Sequence, residues 1–342
     1  MKRIIIVFLA VVTAIATIVV GYGTYLNAPP YAGPVSDRFD GEHFRNTVPI
    51  TLPSPSRDIR YFFTTSAGLW DEWRENPPQD PILDRTGQLR VTFINHATLL
   101  VQLDSINILT DPIYSERPSP FSWIGPTRRH APGISLDELP PIDAVILSHN
   151  HYDHADLATL DSVNVHHTPR FVVGLGCSGL LETIGIRNAT ELDWGQTTHV
   201  GPLAIKGEPC RHFSGRGWSD RQKTLWMSYT ISGPTATIYY AGDTGYCPQF
   251  KNARLDNPPY DLAILSIGAY NPRWFMQTLH LDPAEAVTAH IELGARRSLG
   301  IHFGTFRLSD EGQDDPVKDL ATAREQSNIA PSIFRTLKPS QA

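Results

Sequence analysis

The stretch DAVILSHNHYDHAD, residues 143–156, sets the strongest limit on how this chain can fold. Its apolar half reads as a short strand buried on both faces. The strand then runs straight into His149, His151, Asp153 and His154. Four such donors within six residues are electrostatically and sterically wasteful unless a cation sits among them. His149 and His151 are two apart, so in an extended segment their rings point the same way. Asp153 and His154 fall at the turn into the next helix. Such a loop offers two ligands to one ion and two to a second, and imidazole with carboxylate suits Zn²⁺ or another first-row metal.

The remaining donors recur at the ends of other apolar runs. His212 follows LAIKGEPCR, Asp243 follows ATIYYAG and His302 follows RSLGI. Loops at the strand ends along one edge of a sheet can converge on a single site. The inventory becomes five histidines and two aspartates, and one bridging carboxylate would give each of two ions about four protein ligands. His130, His166, His167, His199 and His290 lack such a setting and read as surface or hydrogen-bonded residues.

LRVTFINHATLLVQL and INILTDP are β-branched alternating runs separated by a polar DS turn. FVVGLG and LAILSIG read as strands, and TLWMSYTISG with TATIYYAGD as a hairpin about Gly233-Pro234. ADLATLDSV and CSGLLETIG have helical spacing. DPAEAVTAHIELGA reads as a helix with Asp282 as N-cap, Pro283 at the first position and Glu285 completing a capping box. Strands come first as a meander and then alternate with helices. That order predicts an α/β layered domain, sheets covered by helices.

The first residues differ in kind. Lys2 and Arg3 precede an uncharged stretch from Ile4 to Leu26, roughly 34 Å long as a helix and enough to cross a hydrocarbon core of about 30 Å. A cleaved signal peptide would have a shorter apolar region and a small-x-small site. An uncleaved single-pass anchor is the expectation, with the body on the non-cytoplasmic side; secretion after cleavage is the alternative. Residues 27–86, with NAPPYAGP, LPSPSRDIRYFF and WDEWRENPPQDP, carry too many large apolar side chains for a solvated tether, and are expected to pack on the main domain, residues 87–342. The formal net charge of -6 and the lack of a basic block argue against a nucleic-acid partner. Cys177, Cys210 and Cys247 contain no C-x-x-C and read as small core residues.

The cluster H-x-H-x-D-H with downstream His, Asp and His resembles the metallo-β-lactamase superfamily. Longer segments narrow the resemblance. NHATLLVQLDSINILTDPIYSERPSPFSWIGPTRR, LSHNHYDHAD, TLWMSY, YYAGDTGYCPQF, LAILSIGAYNPRWFM, HLDPAEAV and GIHFGTF are similar to the branch of N-acyl-phosphatidylethanolamine-hydrolysing phospholipases D, over roughly residues 85–310. The resemblance implies an αββα sandwich with two zinc ions between the sheets. His149, His151 and His212 would hold one ion, Asp153, His154 and His302 the other, and Asp243 would bridge them. The same ligands suit iron or manganese. Asp111, in LTDP, would support the ligand loop from behind. Asp153, through its ion, and His280, on the substrate side, would be the catalytic residues.

The reaction so implied is phosphodiester hydrolysis of N-acyl-phosphatidylethanolamine or a related phospholipid, by a hydroxide bridging the two ions. A membrane phospholipid and the bilayer are the expected partners, and a homodimer is compatible with the reading. Arg273 beside Trp274 and Phe275 in NPRWFMQTL suits a phosphate and acyl chains. HFSGRGWSDRQKTLW departs from the animal pattern, and its Arg216 is expected to line the pocket. A lactonase or ester hydrolase acting on a soluble, sugar-phosphate-like substrate is the rival enzyme reading. A non-catalytic membrane-tethered scaffold is the non-enzyme reading.

Overall fold

The computed structural model describes Thr13, residues 21–50, Arg60, Tyr61, residues 63–66 and residues 68–342. Most of the expected anchor lies outside the described residues. Its end is described, and residues 21–25 are helical. Among the described residues no helix is long and apolar enough to cross a membrane.

Two sheets stack face to face. The first contains β1 (Arg90–Asn95), β2 (Thr98–Leu103), β3 (Ile106–Thr110), β4 (Ala144–Ile146), β5 (Arg170–Gly174) and β6 (Ala189–Leu192), adjacent in chain order. The second contains β7 (Thr197–Val200), β8 (Leu203–Glu208), β9 (Ser228–Ser232), β10 (Thr237–Tyr240), β11 (Leu262–Ser266), β12 (Arg297–Ile301) and β13 (Phe334–Thr336), also in chain order across the sheet. In each sheet an antiparallel meander gives way to parallel strands. LRVTFINHATLLVQL is therefore not one strand. It folds back at His96-Ala97, with Val91 opposite Val101, and His96 takes a left-handed φ of 45°.

Alternation sorts the side chains into layers. Val91, Phe93, Leu99, Val101 and Ile108 of the first sheet meet Ile205, Ile231, Ile238, Tyr240 and Ile301 of the second in one buried core. The opposite face of the first sheet, with Leu100, Leu109, Val145 and Phe171, is covered by α1 (Leu157–His167) and α2 (Cys177–Glu182). The second sheet is covered by α3 (Gln249–Asp256), α5 (Pro283–Leu293) and α6 (Asp315–Gln326), while α4 (Arg273–Met276) is a single turn between β11 and α5. The result is an αββα sandwich. α5 begins with Asp282 accepting from the Glu285 amide in a reciprocal capping box, has Pro283 in its first turn, and ends on left-handed Gly294.

Phe39 and Phe44 of the N-terminal extension are buried in the inter-sheet core beside Tyr31. The Trp70 indole donates to the Glu311 carbonyl. Cys177, Cys210 and Cys247 are buried free thiols.

Candidate metal centre

β1, β3 and β4 run parallel to one another, as do β8, β10 and β12. The C-terminal end of each delivers one polar residue or loop: His96, Asp111, the His149–His154 loop, His212, Asp243 and His302. Short buried strands fix these starting points, and the loops need only a few residues to bring the side chains together.

The imidazoles of His149, His151 and His212 converge. His149 Nε2 lies 2.7 Å and His212 Nε2 3.4 Å from His151 Nδ1. Ligands about 2.1 Å from one tetrahedral ion stand about 3.4 Å apart, so the set has the spacing of a metal triad. A second set contains Asp153, His154, His302 and also His96, each offering an atom within 4.8 Å of the others. His302 Nε2 is 3.5 Å and His154 Nε2 3.6 Å from Asp153 Oδ2. Asp243 lies between the sets. Its Oδ1 is 3.2 Å from His302 Nε2, and its Oδ2 is 3.1 Å from His154 Nε2 and 3.9 Å from His212 Nε2.

The donor set fits divalent cations. Asp243 Oδ1 and His302 Nε2 are buried without a hydrogen-bond partner. Such orphans cost free energy that coordination removes. The electrostatics divide the cluster. His149 and His151 are held well below the ordinary imidazole range by burial and by neighbouring histidines, so their lone pairs are free. Burial opposes ionisation of Asp153 and Asp243, but the surrounding histidines outweigh it and keep both carboxylates well below their usual range.

The candidate ligands are anchored from behind. Asp111 is fully buried and accepts four hydrogen bonds, from the Ser148 amide and hydroxyl, His154 Nδ1 and the Tyr240 hydroxyl, at 2.6–2.7 Å. It thereby fixes the tautomer of His154 with Nε2 toward the site. His212 Nδ1 donates to the Leu279 carbonyl at 2.9 Å, and Asn46 of the N-terminal extension pairs with both the amide and the carbonyl of His212.

His280 stands over the same cluster, with Nδ1 3.8 Å from Asp243 Oδ2 and its ring 5.2 Å from that of His212. Burial pulls it down to about 3, so the ring is neutral. Arg216, expected to line the pocket, is engaged by the protein's own ligand-bearing loop. Its Nη1 donates to the Asn150 and Ala155 carbonyls at 2.9 Å, and its guanidinium lies 3.8 Å from the Tyr152 ring centroid. Those carbonyls bracket the ligand loop, so the cation clamps it. Arg273 likewise holds the start of α5, through Glu285 at 2.7 Å and Asp282 at 3.4 Å, and donates to the His280 carbonyl. Phe275 stacks on Tyr61, and Arg60 lies over Trp274, so both aromatics pack against the extension.

His96 escaped the sequence reading, because the turn there carries neither glycine nor proline. The signal that was present is the pair NH, polar and buried, breaking the alternation of LRVTFINHATLLVQL. His130 is also buried, and its Nε2 is 2.9 Å from the Thr305 hydroxyl, consistent with a hydrogen-bonded core histidine.

Comparison with known proteins bears on what this edge of the sandwich does. The β-lactamase superfamily domain profile matches residues 106–303. An uncharacterised protein of Mycobacterium tuberculosis is 39% identical over 251 residues, covering 72% of this chain and 67% of that protein. N-acyl-phosphatidylethanolamine-hydrolysing phospholipase D 1 of Caenorhabditis elegans is 36% identical over 252 residues, covering 69% of this chain and 71% of that one. Among solved structures, Igni18, a metallo hydrolase of Ignicoccus hospitalis, superposes with a TM-score of 0.55 at 18% identity, over 74% of this chain and 96% of that one. CmlA, a diiron β-hydroxylase of Streptomyces venezuelae, superposes at 0.57 and 16% identity, over 76% of this chain and 54% of that one. At those identities the two structures share the fold alone.

Proposed function

The chain belongs to the metallo-β-lactamase superfamily, in the N-acyl-phosphatidylethanolamine-hydrolysing phospholipase D-like branch, and from that premise we propose that it cleaves the phosphodiester of an N-acylated phosphatidylethanolamine or a related phospholipid. The products are phosphatidic acid and an N-acylethanolamine. At the coarser level the chain is a metal-dependent hydrolase. The observation that carries the proposal is Asp243, set between two clusters of donors with one carboxylate oxygen toward His302 and the other toward His154 and His212.

In this reading His149, His151 and His212 would hold one zinc ion, Asp153, His154 and His302 would hold the second, and Asp243 would serve both. Such ions would supply Lewis acidity toward a phosphoryl oxygen and would make water a stronger acid. The protein's own part is to keep that constellation rigid. Asp111 and the Leu279 carbonyl orient His154 and His212, and Arg216 holds the loop between them. No serine or cysteine nucleophile is required. His280, with its neutral ring beside the same cluster, would donate a ring N–H hydrogen bond to a phosphoryl oxygen.

A lipid substrate gains support from the surface. Tyr22 stacks on Phe121, which packs on Trp123, while Tyr25, Trp123, Ile124 and Trp218 are largely exposed. Trp218 donates its backbone N–H to the Gly23 carbonyl, so this aromatic group gathers where the expected membrane segment ends. Aromatic side chains with one wet edge suit a bilayer interface. In the same reading residues 4–26 anchor the protein in the membrane.

The test is hydrolysis of N-acyl-phosphatidylethanolamine vesicles by the purified protein, with zinc or with chelator, beside Asp153→Asn and His154→Ala. Release of N-acylethanolamine, abolished by the chelator and in both variants, is the expected outcome. A zinc-loaded protein inert toward N-acyl and plain phospholipids but active on a lactone or simple ester would retain the metal centre and remove the lipid assignment.

A further inference from the structure

We propose that His96 is a positioning residue of the metal centre, donating its ring Nε2–H to Asp153 Oδ2 and so holding that carboxylate toward His154 and His302. The inference rests on the two-ion reading above. His96 lies in the β1–β2 turn, with its side chain 1% exposed, and its Nε2 is 3.2 Å from Asp153 Oδ2. Its ring centroid is 3.9 Å from that of His302.

Two roles fit a histidine at that distance, a further ligand or a hydrogen-bond donor to a ligand. The Asp153 carboxylate favours the second, since it sets an anionic oxygen 3.2 Å from Nε2. His96 Nδ1 is buried and has no hydrogen-bond partner. With the proton on Nε2, the N–H points at a carboxylate, a charge-assisted bond, and Nδ1 is left as a buried acceptor. His154 and His212 show the opposite pattern. Their Nδ1 atoms are tied to Asp111 and to the Leu279 carbonyl, which leaves Nε2 as a lone pair for a metal.

The backbone around His96 is built to keep the ring there. A left-handed φ of 45° is unfavourable for a residue with a Cβ. Contacts from the β12 loop hold it. The His96 amide donates to the Thr305 hydroxyl at 2.9 Å, and that hydroxyl also faces His130 Nε2 at 2.9 Å. The His302 amide donates to the His96 carbonyl at 2.8 Å. The turn that carries the donor is thus fastened to the strand end that carries the ligand His302.

The experiment compares His96→Gln, His96→Asn and His96→Ala with the wild type. Zinc stoichiometry and affinity are measured by mass spectrometry and chelator competition, and coordination by the visible spectrum of the cobalt(II)-substituted protein. A Gln amide nitrogen reaches about as far as Nε2, whereas an Asn amide falls short. The expected result is two ions in the wild type, a 10–100-fold loss of affinity at one of the two sites in the Ala and Asn variants, and recovery to within a few-fold in the Gln variant with the wild-type cobalt spectrum. Equal loss in Gln, Asn and Ala together with an altered cobalt spectrum would overturn the proposal and make His96 a ligand. Unchanged affinity in both Ala and Asn would overturn it in favour of a purely structural turn residue. If the Ala variant fails to fold, the Gln-against-Asn contrast still decides. A wild type that holds fewer than two ions would instead remove the two-ion reading on which the proposal stands.

Discussion

Asp111 shows how much one buried side chain can govern. It accepts all four of its hydrogen bonds, and one of the donors, His154, is itself a candidate ligand. In Asp111→Asn an amide group must face at least one N–H or O–H donor that cannot turn away. The loss is a charge-assisted bond plus an unsatisfied buried donor, about 2–4 kcal/mol of stability. Zinc affinity should fall about 10–100-fold as His154 loses its fixed tautomer. Tyr240→Phe removes only one neutral donor and should cost about 1 kcal/mol with little effect on the metal. Thermal unfolding of the chelated proteins and zinc competition measure the two effects. An Asn variant that matched wild type in both would remove Asp111 from the centre. Asp111 was legible in the sequence only through the LTDP resemblance, since one aspartate after a strand is otherwise unremarked. His96 was marked only by the NH pair that interrupts the alternation, because its role depends on a turn and on His302, 206 positions away, which no local pattern encodes.

At the scale of elements, the apolar runs that end in His or Asp were readable because short buried strands leave little freedom in where a following side chain emerges. The split of LRVTFINHATLLVQL was not readable, since its turn carries neither glycine nor proline and is held by Thr305 from another part of the chain. The loop after β8 gave a different lesson. Glycines around Arg216 suggested an arginine free to reach a substrate, yet its guanidinium is tied to the carbonyls of Asn150 and Ala155. A clamp and a substrate contact predict different kinetics. Arg216→Lys keeps the charge but loses the planar fork and the stacking on Tyr152. As a clamp variant it should lower kcat and zinc affinity together, roughly 10-fold each, with KM changed by less than about 3-fold. A rise in KM at constant kcat and full zinc content would return Arg216 to the substrate.

On the scale of the whole molecule, the two sheets meet at one edge where charges of both signs are buried together, and metal content and pH must therefore be coupled to stability. His302 carries the sign most clearly. Burial opposes its protonation, but Asp243 and Asp153 outweigh burial and lift the ring to about 9 in the metal-free protein. The folded value lies above the ordinary imidazole value of about 6.5, so the charged ring stabilises the fold. That contribution is full below about pH 6.5 and is lost as the pH rises through about 9. Its size is on the order of 3 kcal/mol, since His302 is almost fully buried. The chelated protein should accordingly lose thermal stability between pH 6.5 and 9.5. The zinc-loaded protein should not follow it, because a coordinated His302 is already neutral and metal binding strengthens as histidine protons leave. The difference in Tm between the two forms should widen steadily across that range. Parallel pH profiles would mean that His302 does not exchange its proton for a metal, and the assignment of the second ion to Asp153, His154 and His302 would fail with it.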